Sequence, residues 1–314
     1  MPPATPMKAS NCLVIFFLLV FPCVAGMASA QPPATGSLTI VGSDTLSLLI
    51  TEWTEQFYAE HPSISVEIQA IGSAAAPPAL QQGTANIGTM SRPMNRDERA
   101  AFLALRGYQP TEIALAEDAV VFIAHPSNPL SAISDDMVAR IFGMPGTCGT
   151  SGRILRWNQL DPEHPLGSKA IQVFGRTATS GTYQYFRRAA LCDGDPGVFT
   201  NEIPGSSGVV NTIARLPSGL AYSPATHAER GVKVLDIIMR DGRVLSPTDT
   251  DYPFKRVLYM YTTTALQSAK DSPECRFIKF IAAPEGLASL RAAGFRVPNR
   301  DQSLTIKEAA DACL

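Results

Sequence analysis

The sequence predicts an α/β chain of two domains, each a doubly wound, mostly parallel sheet flanked by helices. Three observations predict it. Short runs of β-branched and apolar residues alternate with segments of helical periodicity, the pattern of βαβ units. Several of these strands end in small polar loops that open directly onto a helix, the address at which open parallel sheets bind ligands. Once a leader is set aside, about 284 of the 314 residues remain, too many for one comfortable core and suited to two.

The leader is residues 1–30. Lys8 precedes the apolar run Cys12 to Val20, and Ala28-Ser29-Ala30 before Gln31 has the form of an A-x-A cleavage site. A cleaved signal peptide and a periplasmic, soluble mature chain are therefore expected. A lipoprotein anchored at Cys23 is the alternative, but Pro22 stands where that needs a small residue. No later stretch is long and apolar enough to span a membrane.

Cleavage would remove two of the six cysteines and leave Cys148, Cys192, Cys275 and Cys313. An even number in an oxidising compartment favours two disulfides over metal ligation. Three pairings are possible. Cys148 with Cys192 and Cys275 with Cys313 is preferred, because each pair then stays within one expected domain and leaves a hinge free; four free buried thiols is the other reading. With 26 basic against 28 acidic residues and no Lys/Arg run, nucleic acid and membrane surfaces are not expected as partners.

In order along the chain, Leu38 to Val41 reads as a strand that runs into Gly42-Ser43-Asp44-Thr45. Leu46, Leu49, Ile50, Trp53 and Phe57 then mark one face of a helix. Ser65 to Ala70 alternates as a strand and ends at Gly72-Ser73-Ala74, after which Pro77 and Pro78 open a helix that stops at Gly83. Asn86 to Met90 is a further strand, and Ser91-Arg92-Pro93 follows it. Each of these loops aims polar groups from a strand end toward a helix start, although a bare helix cap would look the same.

Ala119 to Ala124 is a continuous apolar strand suited to crossing into the second domain, and Val257 to Thr262 suits the return. The expected boundaries are therefore 31–125 plus 256–314 for a discontinuous domain one and 126–255 for domain two. Within the latter, Ile171 to Phe174 is a strand, Gly175 to Gly181 a small polar loop, and Tyr183, Phe186 and Ala190 recur at helical spacing. Ser180, Gly181 and Thr182 thus arrive at a helix N-terminus, where unpaired N–H groups and the helix dipole favour an anion. Arg176 adds a planar fork of donors to the same place. Gly205-Ser206-Ser207-Gly208 opens another helix with its own donors.

Enzyme chemistry finds little support. His61, His125, His164 and His227 are isolated, with no partner at metal-ligand spacing, so neither a metal nor a cofactor is expected. The chain has no G-x-S-x-G elbow and no S-x-x-K, and GRTATSGT lacks the Lys of a nucleotide-binding P-loop. A secreted phosphatase using Ser43 or Ser180 as nucleophile is the alternative from that class.

Taken together, GSDTL, GSAAAPPAL, IGTMSRPM and GRTATSGTYQYF, in that order, resemble the substrate-binding proteins of phosphate ABC transporters. The resemblance covers essentially the whole mature chain. It implies the two-domain periplasmic-binding-protein fold, a ligand held in the interdomain cleft, a membrane permease as partner and a monomeric binder of inorganic phosphate that is not an enzyme. Carried over residue by residue, it assigns Ser43, Thr45, Ser73, Arg176, Ser180, Gly181 and Thr182 to the phosphate; Ser91 and Arg92, in the loop after Asn86 to Met90, are expected as further contacts, Arg92 as a second arginine on the anion. The family commonly has an Asp in that loop to accept the proton of hydrogen phosphate, and here Arg92 stands in its place. An acceptor-only carboxylate is what admits a protonated phosphate and rejects sulfate. Asp44, the one carboxylate in these loops, is expected to take that role; binding of another oxyanion (sulfate, molybdate or tungstate) and a scavenger or sensor without a transporter are the alternatives.

Overall fold

The computed structural model describes residues 36–197, 200–228, 231–263, 265–266, 269–298 and 303–314. The expected signal peptide lies outside these residues. Strands β1 (Gly36–Gly42), β2 (Ile64–Gln69) and β3 (Ile87–Met90) pair in parallel in the order β2-β1-β3. Between them run α1 (Ser47–Glu60) and α2 (Ala76–Gln82), and α3 (Arg96–Arg106) follows β3. Pro at the first positions of α2 and Gly83 in the left-handed region just past its end delimit that helix as its sequence implies.

A 14-residue strand, β4 (Thr111–Ala124), then leads away from this sheet. Next come β5 (Ala132–Ser134), α4 (Asp135–Phe142), β6 (Gln172–Arg176), α5 (Gly181–Ala190) and β7 (Asn201–Ile203). They are followed by α6 (Ser206–Ile213), β8 (Gly219–Pro224), β9 (Lys233–Ile238) and β10 (Val244–Leu245). The chain returns along β11 (Lys255–Thr262) and closes with α7 (Pro273–Ala282), α8 (Pro284–Ala292), β12 (Leu304–Thr305) and α9 (Ile306–Ala312).

The main path of the sheet is β2-β1-β3-β11-β4-β8-β6-β7; off it, β9 pairs with β4, β5 and β10, and β12 pairs with β4. Parallel pairing dominates at its two ends, whereas β11 and β4 pair antiparallel with each other and with β3 and β8. The sheet is mixed because the two crossing strands run in opposite directions between two cores.

Those cores follow from the side-chain alternation. Leu38 and Ile40 of β1 face a core with Trp53, Phe57, Phe277 and Ile306, while Val41 faces the other way onto Leu80, Met90 and Phe102. Helices thus cover both faces of the first sheet. A separate core gathers Phe122, Phe142, Trp157, Phe186, Val209 and Tyr222, all between residues 119 and 254. β4 serves both: Ile113, Leu115 and Ala116 belong to the first core and Ala119 to Ala124 to the second. Disulfides join Cys148 with Cys192 and Cys275 with Cys313, each pair within one core's span of the chain.

Candidate functional site

Every polar loop singled out in the sequence lies at the carboxyl end of a parallel strand: 43–45 after β1, 72–73 after β2, 91–92 after β3 and 177–180 after β6. The structure brings these loops together. Ser43 donates its backbone N–H to the carbonyl of Thr89 at 2.8 Å, and its Oγ lies 2.5 Å from Ser91 Oγ. Ser73 Oγ accepts from the N–H of Ser91 at 2.9 Å. Ser43, Thr45, Ser73 and Ser91 are all buried, so one face of the cluster is a set of hydroxyls held away from water.

The opposing face comes from β6, α5 and α6. Thr182 Oγ1 lies 3.1 Å from Thr45 Oγ1, and the N–H of Ala74 donates to the carbonyl of Thr179 at 3.1 Å. Gly181 sits where a Cβ would stand 2.2 Å from Ser73 Oγ, so only a residue without a side chain allows this approach. Ser180 caps α5 by accepting from the N–H groups of Thr182 and Tyr183, which is the ordinary use of such a residue, and its O–H proton stays available to donate.

Arg176 is 3% exposed at its side chain and ion-paired with Asp44 at 3.0 Å. Burial pulls the Arg176 guanidinium below its ordinary value, and the Asp44 carboxylate opposes that pull. Asp44 Oδ2 also accepts from the N–H of Ser206 at 2.8 Å and from Ser206 Oγ at 2.7 Å, so this one oxygen is tied to β6 and to the start of α6. Arg176 in turn donates to Ser206 Oγ. Tyr222 holds the backbone of Arg176 in place, its phenol oxygen accepting that N–H at 3.1 Å, and burial pushes the phenol's pKa up.

Arg92 is placed otherwise than expected. Its guanidinium forms a two-pronged ion pair with Glu98, at 2.6 and 2.7 Å, donates to the carbonyl of Pro93 at 2.8 Å, and reaches Gln184 Oε1. Its donors are committed to Glu98, Pro93 and Gln184 instead of to the hydroxyl cluster. The cause is local: Asn95 and Glu98 form a capping box at the start of α3, which fixes Glu98 beside Arg92.

Three side chains of the cluster were not selected from the sequence. Arg256 of β11 donates to Thr182 Oγ1 at 3.0 Å and is paired with Asp118 of β4 at 2.9 Å. His227 Nε2 lies 3.3 Å from the carbonyl of Thr45, and burial lowers its imidazole pKa despite the opposing influence of Asp44. Ser206 alone carried a local signal, in Gly205-Ser206-Ser207-Gly208. A cavity of about 560 Å3 lined by Glu117, Thr250, Lys255, Arg256, Val257 and Arg296 includes none of the loop hydroxyls.

The arrangement is a buried array of hydroxyl and backbone donors around an Arg–Asp pair, contributed from two sides, a donor set whose chemistry suits an oxyanion. Comparison with known proteins agrees in kind. Residues 28–285 match the model of the PBP superfamily domain. The phosphate-binding protein PstS of Pseudomonas aeruginosa is 36% identical over 258 residues, 80% of each chain. Protein SphX of Synechococcus elongatus is 26% identical over 278 residues, 85% of this chain and 78% of its own. Among solved structures, one from Clostridium perfringens, assigned as a phosphate ABC transporter substrate-binding protein and carrying phosphate, superposes with a TM-score of 0.68. It shares 21% identity and covers 82% of this chain and 98% of its own, a likeness of fold.

Proposed function

Because the chain belongs to the PBP superfamily and, within it, to the family of the phosphate-binding protein PstS, we propose that it binds inorganic phosphate in its cleft and delivers it to the permease of an ABC importer. The observation that carries this reading is the meeting of Ser43, Thr45, Ser73 and Ser91 with Arg176, Gly181 and Thr182 across the cleft. Donors from two sides satisfy one anion only when the cleft is shut, so closure is ligand-driven. The proposed domain boundaries are 31–125 plus 256–314 and 126–255, supported by the change of core along β4 between Ala116 and Ala119. Export through a cleaved signal peptide to the periplasm completes the reading.

Asp44 is the residue we assign to the phosphate proton. Its hydrogen bonds and its ion pair converge on Oδ2, which leaves Oδ1 to accept from a protonated ligand. Sulfate offers no proton and would meet that oxygen as a repulsive like charge. Arg176 neutralises part of the ligand's charge, and the hydroxyls of Ser43, Thr45, Ser73, Ser91, Ser180 and Thr182 donate hydrogen bonds to its oxygens. Asp44→Asn tests the assignment, because its amide can turn an N–H toward sulfate. Calorimetry should show lost discrimination between phosphate and sulfate; a variant that keeps both its phosphate affinity and its rejection of sulfate places the acceptor elsewhere. The protein acts as a binder, so incubation with a chromogenic phosphomonoester should give no turnover, and turnover abolished by Ser43→Ala or Ser180→Ala would establish the phosphatase reading instead.

A further inference from the structure

We propose that Arg256, anchored by Asp118, is a positioning residue that turns the hydroxyls of Thr45 and Thr182 toward the anion as donors; this rests on the phosphate reading above. The two residues face each other in register on β11 and β4, the strands that run between the two cores. Their side chains are 2% and 1% exposed, and Nη2 of Arg256 lies 2.9 Å from Oδ2 of Asp118. A buried ion pair contributes little net stability over a well-packed apolar pair, so its presence in a cleft calls for another role.

The hydrogen bonds supply one. Arg256 Nη1 donates to Thr182 Oγ1 at 3.0 Å and to the carbonyl of Ser91 at 3.4 Å, and Nη2 reaches Thr45 Oγ1 at 3.5 Å. The guanidinium lies over the ring of Tyr185, 5.5 Å from its centroid, and the Tyr185 hydroxyl is itself held by the carbonyl of Lys255 at 2.6 Å. One planar group thus touches a hydroxyl from each side of the cleft.

A guanidinium has donors and no acceptor, while a hydroxyl has one donor and two acceptor positions. Arg256 therefore occupies an acceptor position on Thr182 and faces one on Thr45, and neither threonine can turn its proton toward it. The two hydroxyls, 3.1 Å apart, share one bond with each other. An incoming oxyanion replaces that bond with two, taking both protons. Removing the guanidinium would reverse the arrangement. Asp118, whose Oδ1 has no hydrogen-bond partner among the described residues, would become an uncompensated buried carboxylate that competes with the anion for the same hydroxyl protons.

Two sets of variants test this, with thermal stability and inorganic phosphate affinity measured on each. Asp118→Asn with Arg256→Gln replaces the ion pair by a neutral, hydrogen-bonding pair in which the longer partner is shorter by two heavy atoms. It should stay folded, with a cooperative melt, yet bind phosphate at least about tenfold more weakly, because the fork that orients both hydroxyls is gone. In a Thr45→Val, Thr182→Val background the same replacement should change affinity less than about threefold, since the groups it acts through are gone. Arg256→Lys, which keeps the charge beside Asp118 but cannot span both hydroxyls, should likewise lose at least about tenfold. Wild-type affinity in the neutral-pair or lysine variant, or an equal loss with and without the threonines, would overturn the inference. A wild-type protein that does not bind phosphate would refute the phosphate reading itself, and this inference with it.

Discussion

Replacing Gly181 by alanine should weaken phosphate binding roughly 100-fold while leaving the fold intact. The added methyl would stand 2.2 Å from Ser73 Oγ, 2.8 Å from Ser73 Cβ and 3.0 Å from Ser91 Cβ. The Ser73 hydroxyl can rotate away, but the two carbons cannot, and carbon atoms rest at about 3.5–4.0 Å. The loops after β2 and β3 must therefore retreat from α5 by about 0.7 Å or more. Hydrogen bonds tolerate only about half an ångström of variation in length, so one or two donors on the far side lose the anion. At about 1.5–3 kcal/mol for each bond to a charged group, the loss is about 3 kcal/mol, or roughly 100-fold in Kd. The fold should be spared, because the clash lies between facing loops and outside the cores, and alanine is a better helix former than glycine at the start of α5. Titration calorimetry gives the affinity and scanning calorimetry the melting temperature. Wild-type affinity in Gly181→Ala would show that the loops need not close to this distance and would refute the reasoning.

Arg176→Ala should weaken phosphate binding by well over tenfold, because a charged partner in a desolvated site is worth about 2–5 kcal/mol; calorimetry showing less than threefold would place the anion away from Arg176. Acid should destabilise the fold in part through His227. Burial keeps its pKa below the ordinary 6.5, so as pH falls through about 6.5 the unfolded chain takes up a proton that the folded chain refuses, and stability drops. Above that pH both states are neutral and the residue contributes no pH dependence. The fall in melting temperature from pH 7.5 to 5.5 should be smaller in His227→Gln, and an equal fall would remove the residue from the account. Reduction of both disulfides, which close separations of 44 and 38 residues, removes constraints worth about 4 kcal/mol each in the chain-entropy model and should lower the melting temperature by about 10 °C or more. Non-reducing peptide maps should contain Cys148–Cys192 and Cys275–Cys313 peptides.

What the sequence makes legible is local. Ser43 to Thr45, Ser73 and the run from Arg176 to Thr182 could be found because strand, polar loop and helix start follow one another within a dozen residues. The parallel units that carry them could be placed for the same reason. Arg256 and Asp118 could not. Each stands in a run that reads as an apolar strand, DYPFKRVLYMYT and LAEDAVVFIA, and only the register of β11 on β4 brings the two charges together at the cleft. Arg92 illustrates the converse: it sits at the right strand end, but its anion is Glu98, six residues away on a helix whose start signal, Asn95 followed by Glu98, was present in the sequence. The first half of β4 was equally obscure, since Thr111 to Asp118 mixes acidic and apolar residues and becomes a strand through pairing with β11. Long-range pairing, unlike capping, leaves no mark at fixed spacing.

The most direct test of the account is titration calorimetry of the purified chain, freed of residual phosphate by unfolding and refolding, against inorganic phosphate and then sulfate at neutral pH. Phosphate should fill a single saturable site from which sulfate in large excess does not displace it. Binding of sulfate with equal affinity would contradict the role given to Asp44, and no heat or saturation with phosphate would contradict the claim that the cleft between β1–β3 and β6 is a phosphate site.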